Sequence, residues 1–480
     1  MLKQLLKRKN ISQITLEADD EHHGLRRVLG PLDLVSLGIG IIIGAGIFVV
    51  TGQAAAQYAG PAISISFVLS GFGCVLAGLC YAEMASMIPV SGSAYTYAYA
   101  TLGQFIAWVI GWDLVLEYLF ASSTVSVGWS GYVVSFLNDF GIMIPEILSK
   151  APLAHDPRAG WALTGAVINL PAIIIVLAMM TLLIIGIRES AAANSIIVII
   201  KLTVLLVFIG IGFFYINREN WQPFIPPNDG AFGHFGWSGV LRGAGVIFFA
   251  YIGFDAVSTA AQETRNPQRS IPIGILGSLI VATVLYILVS LVLTGVVKYT
   301  NLNVPDPIAV AVNMMGEKLY WLRPLIKIGA IAGLTSVILV LLFGQTRIFY
   351  SMARDRMLPG RFAAIHPIFR TPVFTTVLTG IAASFFAGIF PLSVLGELVS
   401  IGTLFAFVIV CTGVLVLRYA DPELPRPFKV PFFPVIPALG AAVSFLQMAA
   451  LPMDTWLRLI IWMAIGLLIY FLYSRKRAQV

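Results

Sequence analysis

The chain has 480 residues, of which 58% are hydrophobic and only 11% charged, and its mean hydropathy is +0.90. A soluble domain carries about 25% charged residues, so 30 Lys and Arg with 23 Asp and Glu cannot clothe a water-facing surface, and a soluble globular enzyme is excluded. The net charge of +7 is modest and implies no nucleic-acid partner.

The opening residues 1–30 are charged and lack the apolar core of a signal peptide. Apolar stretches then recur at 31–58, 62–88, 104–137, 162–187, 192–216 and 238–263. They continue at 272–297, 325–352, 373–391, 393–417, 434–451 and 455–473. Each is apolar on all faces, too long for a strand and bounded by Gly, Pro or charge clusters, whereas barrel strands would alternate. The pattern predicts an all-α integral membrane protein with twelve transmembrane helices. Lys and Arg gather on one side of this arrangement, before residue 31, at Arg347, Arg354, Arg356, Arg361 and Arg370, and at Arg475, Lys476 and Arg477. That asymmetry predicts cytoplasmic N- and C-termini in a cell membrane. Cys74, Cys80 and Cys411 all fall in apolar runs without ligand spacing, as packing residues do.

Two spans are interrupted. GIGIIIGAGIF (38–48) in the first and GAGVIFFAYIGFDAVS (243–258) in the sixth are too glycine-dense for continuous helix. Five spans separate the breaks, an odd number, so the second copy enters the membrane upside down. This spacing points to an inverted-repeat transporter with broken helices 1 and 6. The organisation is then a cytoplasmic segment 1–30, a first repeat 31–217 (helices 1–5) and a second repeat 238–418 (helices 6–10). Accessory helices 11 and 12 follow at 433–474, with a cytoplasmic tail at 475–480.

A helix broken inside a membrane exposes N–H groups at the start of its second half and carbonyls at the end of its first. A zwitterion satisfies both sets. The N–H groups of Gly44, Ala45 and Gly46 are expected to hold a carboxylate. Carbonyls near Ile43, and near Phe249, Ala250 and Ile252, are expected to accept from an ammonium. The competing reading is that the glycines serve only close helix packing; two breaks in register favour the site.

GIGIIIGAGIFVVTG, YAEMASMIPVSGSAYTYAYATLG (81–103), GWDLVLEY (111–118), FFAYIGFDAVSTAAQETRNPQRSIP (248–272) and FGQTRIFYSMARDRMLP (343–359) closely resemble the amino acid–polyamine–organocation superfamily, and within it the cationic amino acid transporter branch. The resemblance covers about residues 25–475. It implies a leucine-transporter-like five-plus-five fold and amino acid transport by alternating access, and the branch includes carriers of basic, small neutral and broader sets.

Ionisable residues inside a membrane are functional candidates by default. Lys201 lies deep in NSIIVIIKLTVLLVFIG. In the resembled fold the fifth span packs against the first and eighth, where sodium-driven relatives bind sodium. A lysine there resembles the proton-coupled members, with Thr335 and Ser336 of the eighth span supplying hydroxyls. Asp255 either contacts a cationic side chain or closes the break, and Phe249 aligns with the aromatic gate that caps bound substrate. Glu117, one turn beyond Asp113, either draws a basic side chain or pairs with a neighbouring span. Glu83 and Glu263 stand at cytoplasmic span ends.

No catalytic residues, metal site or cofactor are expected, the coupling ion being the proton. The expected function is proton-coupled uptake of cationic or small neutral L-amino acids, with a proton-independent exchanger or uniporter as the alternative. The expected partners are the amino acid and membrane lipid; oligomeric state and any small single-span subunit are left open.

Overall fold

A computed structural model describes residues 8–9, 29–88, 93–156, 160–186, 191–255, 257–258 and 264–477. Most of the expected segment 1–30, part of the tail 475–480, and Glu263 therefore lie outside the described residues.

Helix α1 (Pro31–Ile42) starts on a proline, whose missing N–H has no role at a first helical position. It ends at Ile43, whose backbone is extended (φ −74°, ψ 91°). The chain resumes as a wide-turned stretch from Gly46 to Ala59, with one α-turn, α2 (Thr51–Ala54), in its middle. There follow α3 (Ile63–Met87), α4 (Ser93–Thr101), α5 (Gln104–Asp139) and the single turn α6 (Glu146–Ser149). Next come α7 (Leu170–Ile185), α8 (Ala191–Gly212) and α9 (Gly236–Ile247). The second interruption begins here: α9 tightens into the turn Phe248–Tyr251, and Ile252 leaves it extended (φ −58°, ψ 137°). Regular helix returns with α10 (Pro267–Val296). After α11 (Pro307–Met314), the chain completes α12 (Leu322–Arg354), α13 (Val373–Ile389), α14 (Leu392–Ala420), α15 (Val435–Ala449) and α16 (Met453–Leu472).

Among the described residues, 7 helical stretches are long and apolar enough to cross a membrane; the longest, Pro31–Met87, contains the first interruption. α7, α13 and α15 are apolar but shorter. The chain is thus a mostly helical, multi-pass membrane protein. One element departs from the all-α expectation. β1 (Leu153–Asp156) and β2 (Gly160–Leu163) form an antiparallel hairpin, with Leu153 opposite Leu163 and His155 opposite Trp161. The fourth span was expected from residue 162, but the hairpin claims that sequence and α7 begins eight residues later. Asn169 caps it, accepting from the Ala172 N–H at 3.3 Å and from the Ser130 hydroxyl at 2.6 Å.

The helices pack in two groups. α10 lies along α1 and α3, and α3 along α9; α5 lies along α12, α14, α13 and α7. Small residues let backbones approach, since lipid offers no hydrophobic force to drive helices together: Gly38 meets Ser278, Gly274 meets Leu34, and Gly329 meets Val204. α16 joins α5 through the stacked rings of Trp112 and Trp462, 4.8 Å between centroids. Each indole N–H donates to the other residue's carbonyl, at 2.8 and 3.0 Å.

One face carries the described parts of both ends of the chain. Lys9 pairs with Asp355 at 3.1 Å, and the Ser474 hydroxyl donates to the Met357 carbonyl at 2.6 Å. On this terminal face Glu83 of α3 is buried and holds α14 and the loop after it. Arg418 grips both carboxylate oxygens, Nε at 2.9 Å, and the Val430 N–H donates at 2.7 Å. The opposite face carries the β-hairpin. Removing one partner of a buried ion pair costs about 3–5 kcal/mol, so Glu83→Gln should lower stability by ~3 kcal/mol. The readout is an earlier thermal unfolding transition of the purified protein in detergent; a coincident transition would show that Arg418 finds equal partners elsewhere.

Candidate substrate site

The two interruptions touch. Gly46 seats directly on the backbone of Ala250, so closely that a Cβ at Gly46 would overlap the Ala250 Cα. Gly253, at φ 108°, lies against Ile41, where a side chain would be both strained and obstructed. Gly44 faces Val337 of α12, whose Cγ2 would stand 3.1 Å from an added Cβ. Glycine at 46 therefore brings main chain of the two interruptions together in the buried interior, and glycine at 44 lets the first of them close on the Val337 side chain of α12.

The exposed backbone groups are satisfied from other spans. The hydroxyl of Tyr286, on α10, lies 2.7 Å from the carbonyl oxygen of Ile42 and 2.7 Å from that of Ala250. A phenol has one proton to donate, so it serves one carbonyl at a time. Two carbonyls from two interrupted spans thus converge on one donor. The Gly46 carbonyl accepts from Thr51 at 2.8 Å, and that of Phe48 from Tyr132 of α5 at 2.7 Å. In the second interruption the Phe249 N–H donates to the Ser400 hydroxyl of α14 at 3.2 Å, which itself donates to the Val246 carbonyl at 2.7 Å. Gly44, Ala45 and Gly46 head the second half of the first span, where a helix start leaves N–H groups without an intrahelical acceptor.

Lys201 is fully buried, and its ammonium donates to the Gly40 carbonyl, in the last turn of α1, at 2.8 Å. Its stem lies on Gly333 of α12, where an added Cβ would meet Lys201 Cε at 3.0 Å. The structure thus brings Lys201 to α1 and α12 together. The two hydroxyls expected beside it give their own protons to main chain of α12. Ser336 donates to the Gly333 carbonyl at 2.9 Å, one turn from the lysine stem. Thr335 donates to Ile331 at 2.7 Å and accepts from the Trp129 indole of α5 at 2.9 Å, so it faces the third span. Two further basic residues inside helices are also partnered: Lys327 pairs with Asp139 at 2.7 Å, and Arg242 donates to the Ala450 carbonyl at 3.0 Å.

Ile43, Ala45, Phe249, Ala250 and Ile252 are all buried at the contact between the interruptions. Asp255 and Glu117 are buried a few residues towards the terminal face, within electrostatic reach of each other and of Tyr81 and Tyr118. Glu117 lies against Thr403 of α14; among the described residues its Oε2 has no hydrogen-bond partner, and neither do the two buried oxygens of Asp113. Tyr286, Gly40 and Ser400 were not singled out in the sequence. A lone tyrosine in ATVLYILVS was the available signal, because a buried phenol finds a partner. Gly40 and Ser400 act through main chain or through a residue type common in spans, and leave no such trace.

A polar cradle of main-chain groups, held inside a multi-pass apolar bundle by side chains from neighbouring spans, defines a membrane permease. Residues 29–472 match the sequence pattern of the amino acid permease family, so the chain belongs to that family, within the amino acid–polyamine–organocation superfamily. It is 47% identical to a methylthioribose transporter of Bacillus subtilis, over 97% of both chains. It is 46% identical to the branched-chain amino acid permease BcaP of the same organism, over 98% of both. Cationic amino acid transporter 4, a vacuolar protein of Arabidopsis thaliana, is 36% identical over 87% of this chain and 68% of its own length.

Overpacking a tight contact costs about 1–3 kcal/mol. Gly46→Ala should therefore cut transport by about tenfold to a hundredfold by separating the interruptions, with membrane insertion intact. The check is initial uptake in proteoliposomes, normalised to inserted protein; a fully active variant would mean the interruptions need not touch.

Proposed function

We propose that this permease is a twelve-span secondary transporter of the five-plus-five inverted-repeat type, carrying L-amino acids into the cell with protons. In this reading α1 with residues 46–59 is the first span, α9 with the turn after it is the sixth, and α15 and α16 are accessory. The Lys and Arg asymmetry supports cytoplasmic termini. The observation that carries the substrate reading is the convergence of the Ile42 and Ala250 carbonyls on the Tyr286 hydroxyl. The phenol serves one of the two at a time, whereas an ammonium, with three N–H groups, satisfies both. The N–H groups of Gly44, Ala45 and Gly46 stand ready for the carboxylate. Asp255 and Glu117, on the terminal side of this cradle, favour a cationic or small neutral side chain.

The relatives are named for a thiosugar, for branched-chain amino acids and for cationic amino acids. A neutral sugar has no carboxylate for the N–H groups and no ammonium for the carbonyls, which places the amino acid reading first.

Coupling rests on Lys201. Protonated, it makes a charge-assisted bond to Gly40 that holds the end of α1. Neutral, it binds that carbonyl more weakly, and the population shifts towards conformers in which α1 moves away. Proton-independent exchange or uniport is the competing mode.

The test is uptake of a panel of radiolabelled amino acids into proteoliposomes, with and without a pH gradient that is acidic on the outside. The parent protein should accumulate substrate with the gradient. Lys201→Ala should lose accumulation and keep exchange. Accumulation by the alanine variant would remove Lys201 from coupling, and gradient-independent uptake by the parent would leave the exchanger.

A further inference from the structure

Away from the interruptions, a cavity of about 260 Å³ opens between α5, α13, α14 and α16. Its walls are apolar, formed by Phe120, Phe386, Phe390, Leu398, Ile461 and Ile465 among others. An apolar cavity of ~150 Å³ already admits benzene and excludes water, so this one takes a length of hydrocarbon. Its mouth lies on the membrane-facing side, because Ile461 and Ile465 on α16 are 53% and 46% exposed.

The rim towards the hairpin face is of a different chemistry. Arg458 lines the cavity there, its guanidinium 5.8 Å from the Trp161 ring centroid of β2 and 3.3 Å from the Glu397 carboxylate of α14. A guanidinium has five N–H donors, and Glu397 takes only part of this set. Trp161 is half exposed, an indole at the level where aromatic side chains mark the membrane–water boundary. A hydrocarbon-sized cleft, open to the bilayer, thus ends in an arginine with donors to spare and an interfacial tryptophan.

We propose that this cleft is a binding site for one phospholipid of the leaflet on the hairpin side, with an acyl chain between α13 and α16 and the phosphate on Arg458. Arginine suits the phosphate because its planar fork matches two of its oxygens. The site also touches the transport machinery mechanically. Glu397, which holds Arg458, accepts from the Tyr58 hydroxyl at 2.9 Å and from Thr455 at 2.7 Å, and Tyr58 belongs to the second half of the first span. Arg458 is therefore two hydrogen-bonded steps from the interrupted helix.

The test uses the full chain in proteoliposomes containing a trace of phosphatidylglycerol or phosphatidylcholine with a diazirine on one acyl chain, followed by mass spectrometry of the labelled peptides. A diazirine-bearing fatty alcohol, which lacks the phosphate, forms the third arm. Labelling by both phospholipids should concentrate on residues 116–120, 386–398 and 458–465. Ile465→Trp, which fills the cleft, should remove that label from all three probes and leave labelling elsewhere unchanged. A charge-assisted hydrogen bond is worth about 1.5–3 kcal/mol, so Arg458→Gln should lower phospholipid labelling by about tenfold or more and spare the fatty alcohol. Arg458→Lys should restore part of the loss. Even labelling around the apolar belt, or undiminished labelling of Ile465→Trp, would overturn the site. An equal fall for alcohol and phospholipid in Arg458→Gln would overturn the phosphate contact.

Discussion

Inside a bilayer every backbone N–H and C=O has to find a partner in the protein, because hydrocarbon offers none. Two spans of this permease break that condition at the same depth, and the surrounding architecture answers it. Tyr286 reaches from α10 to both interruptions, Lys201 from α8 to the end of α1, Tyr132 from α5 to Phe48, and Ser400 from α14 to Phe249. Four different spans thus donate to or accept from irregular main chain. The interruptions are not loose joints but are tied by hydrogen bonds to four neighbouring helices. A phenol between two carbonyls carries a single proton, and in the proposed reading an incoming ammonium serves both.

The same logic constrains how the molecule can move. On the terminal face Glu83 ties α3 to α14 through Arg418; on the hairpin face Tyr58 ties the second half of the first span to α14 through Glu397. α14 is therefore fastened at both ends to the helix group that contains the interruptions. Any motion that opens either face has to exchange a buried, hydrogen-bonded carboxylate for another partner, and leaving such a group unpaired costs several kcal/mol. In the proposed alternating-access cycle, one tie would open while the other holds.

Much of this was legible in the sequence. The apolar runs located the long helices to within a few residues, because a span apolar on every face has few other uses. The glycine-dense stretches at 38–48 and 243–258 marked the interruptions, because helices of that composition are weak. Lys201 stood out because a charge in mid-span is costly. What the sequence hid depends on rotation about helix axes. Neighbouring residues on α12 point in different directions, so Thr335 turned to Trp129 of the third span while Gly333 received the lysine stem. The β-hairpin was hidden as well, because its Ala162 and Leu163 read as the beginning of an apolar span.

The central claim is that main-chain groups of the two interruptions recognise the ammonium and carboxylate of an amino acid together. The most direct measurement is competition for a bound radiolabelled amino acid on the purified protein, using for each candidate the parent amino acid, the amine lacking its carboxylate, and methylthioribose. The account predicts displacement by the parent alone, with the amine and the thiosugar weaker by at least about a hundredfold, the order expected when charge-assisted hydrogen bonds worth ~1.5–3 kcal/mol each are lost. Displacement by the amine at the concentration of the parent would contradict it, because the Gly44–Gly46 end of the first interruption would then contribute nothing to binding.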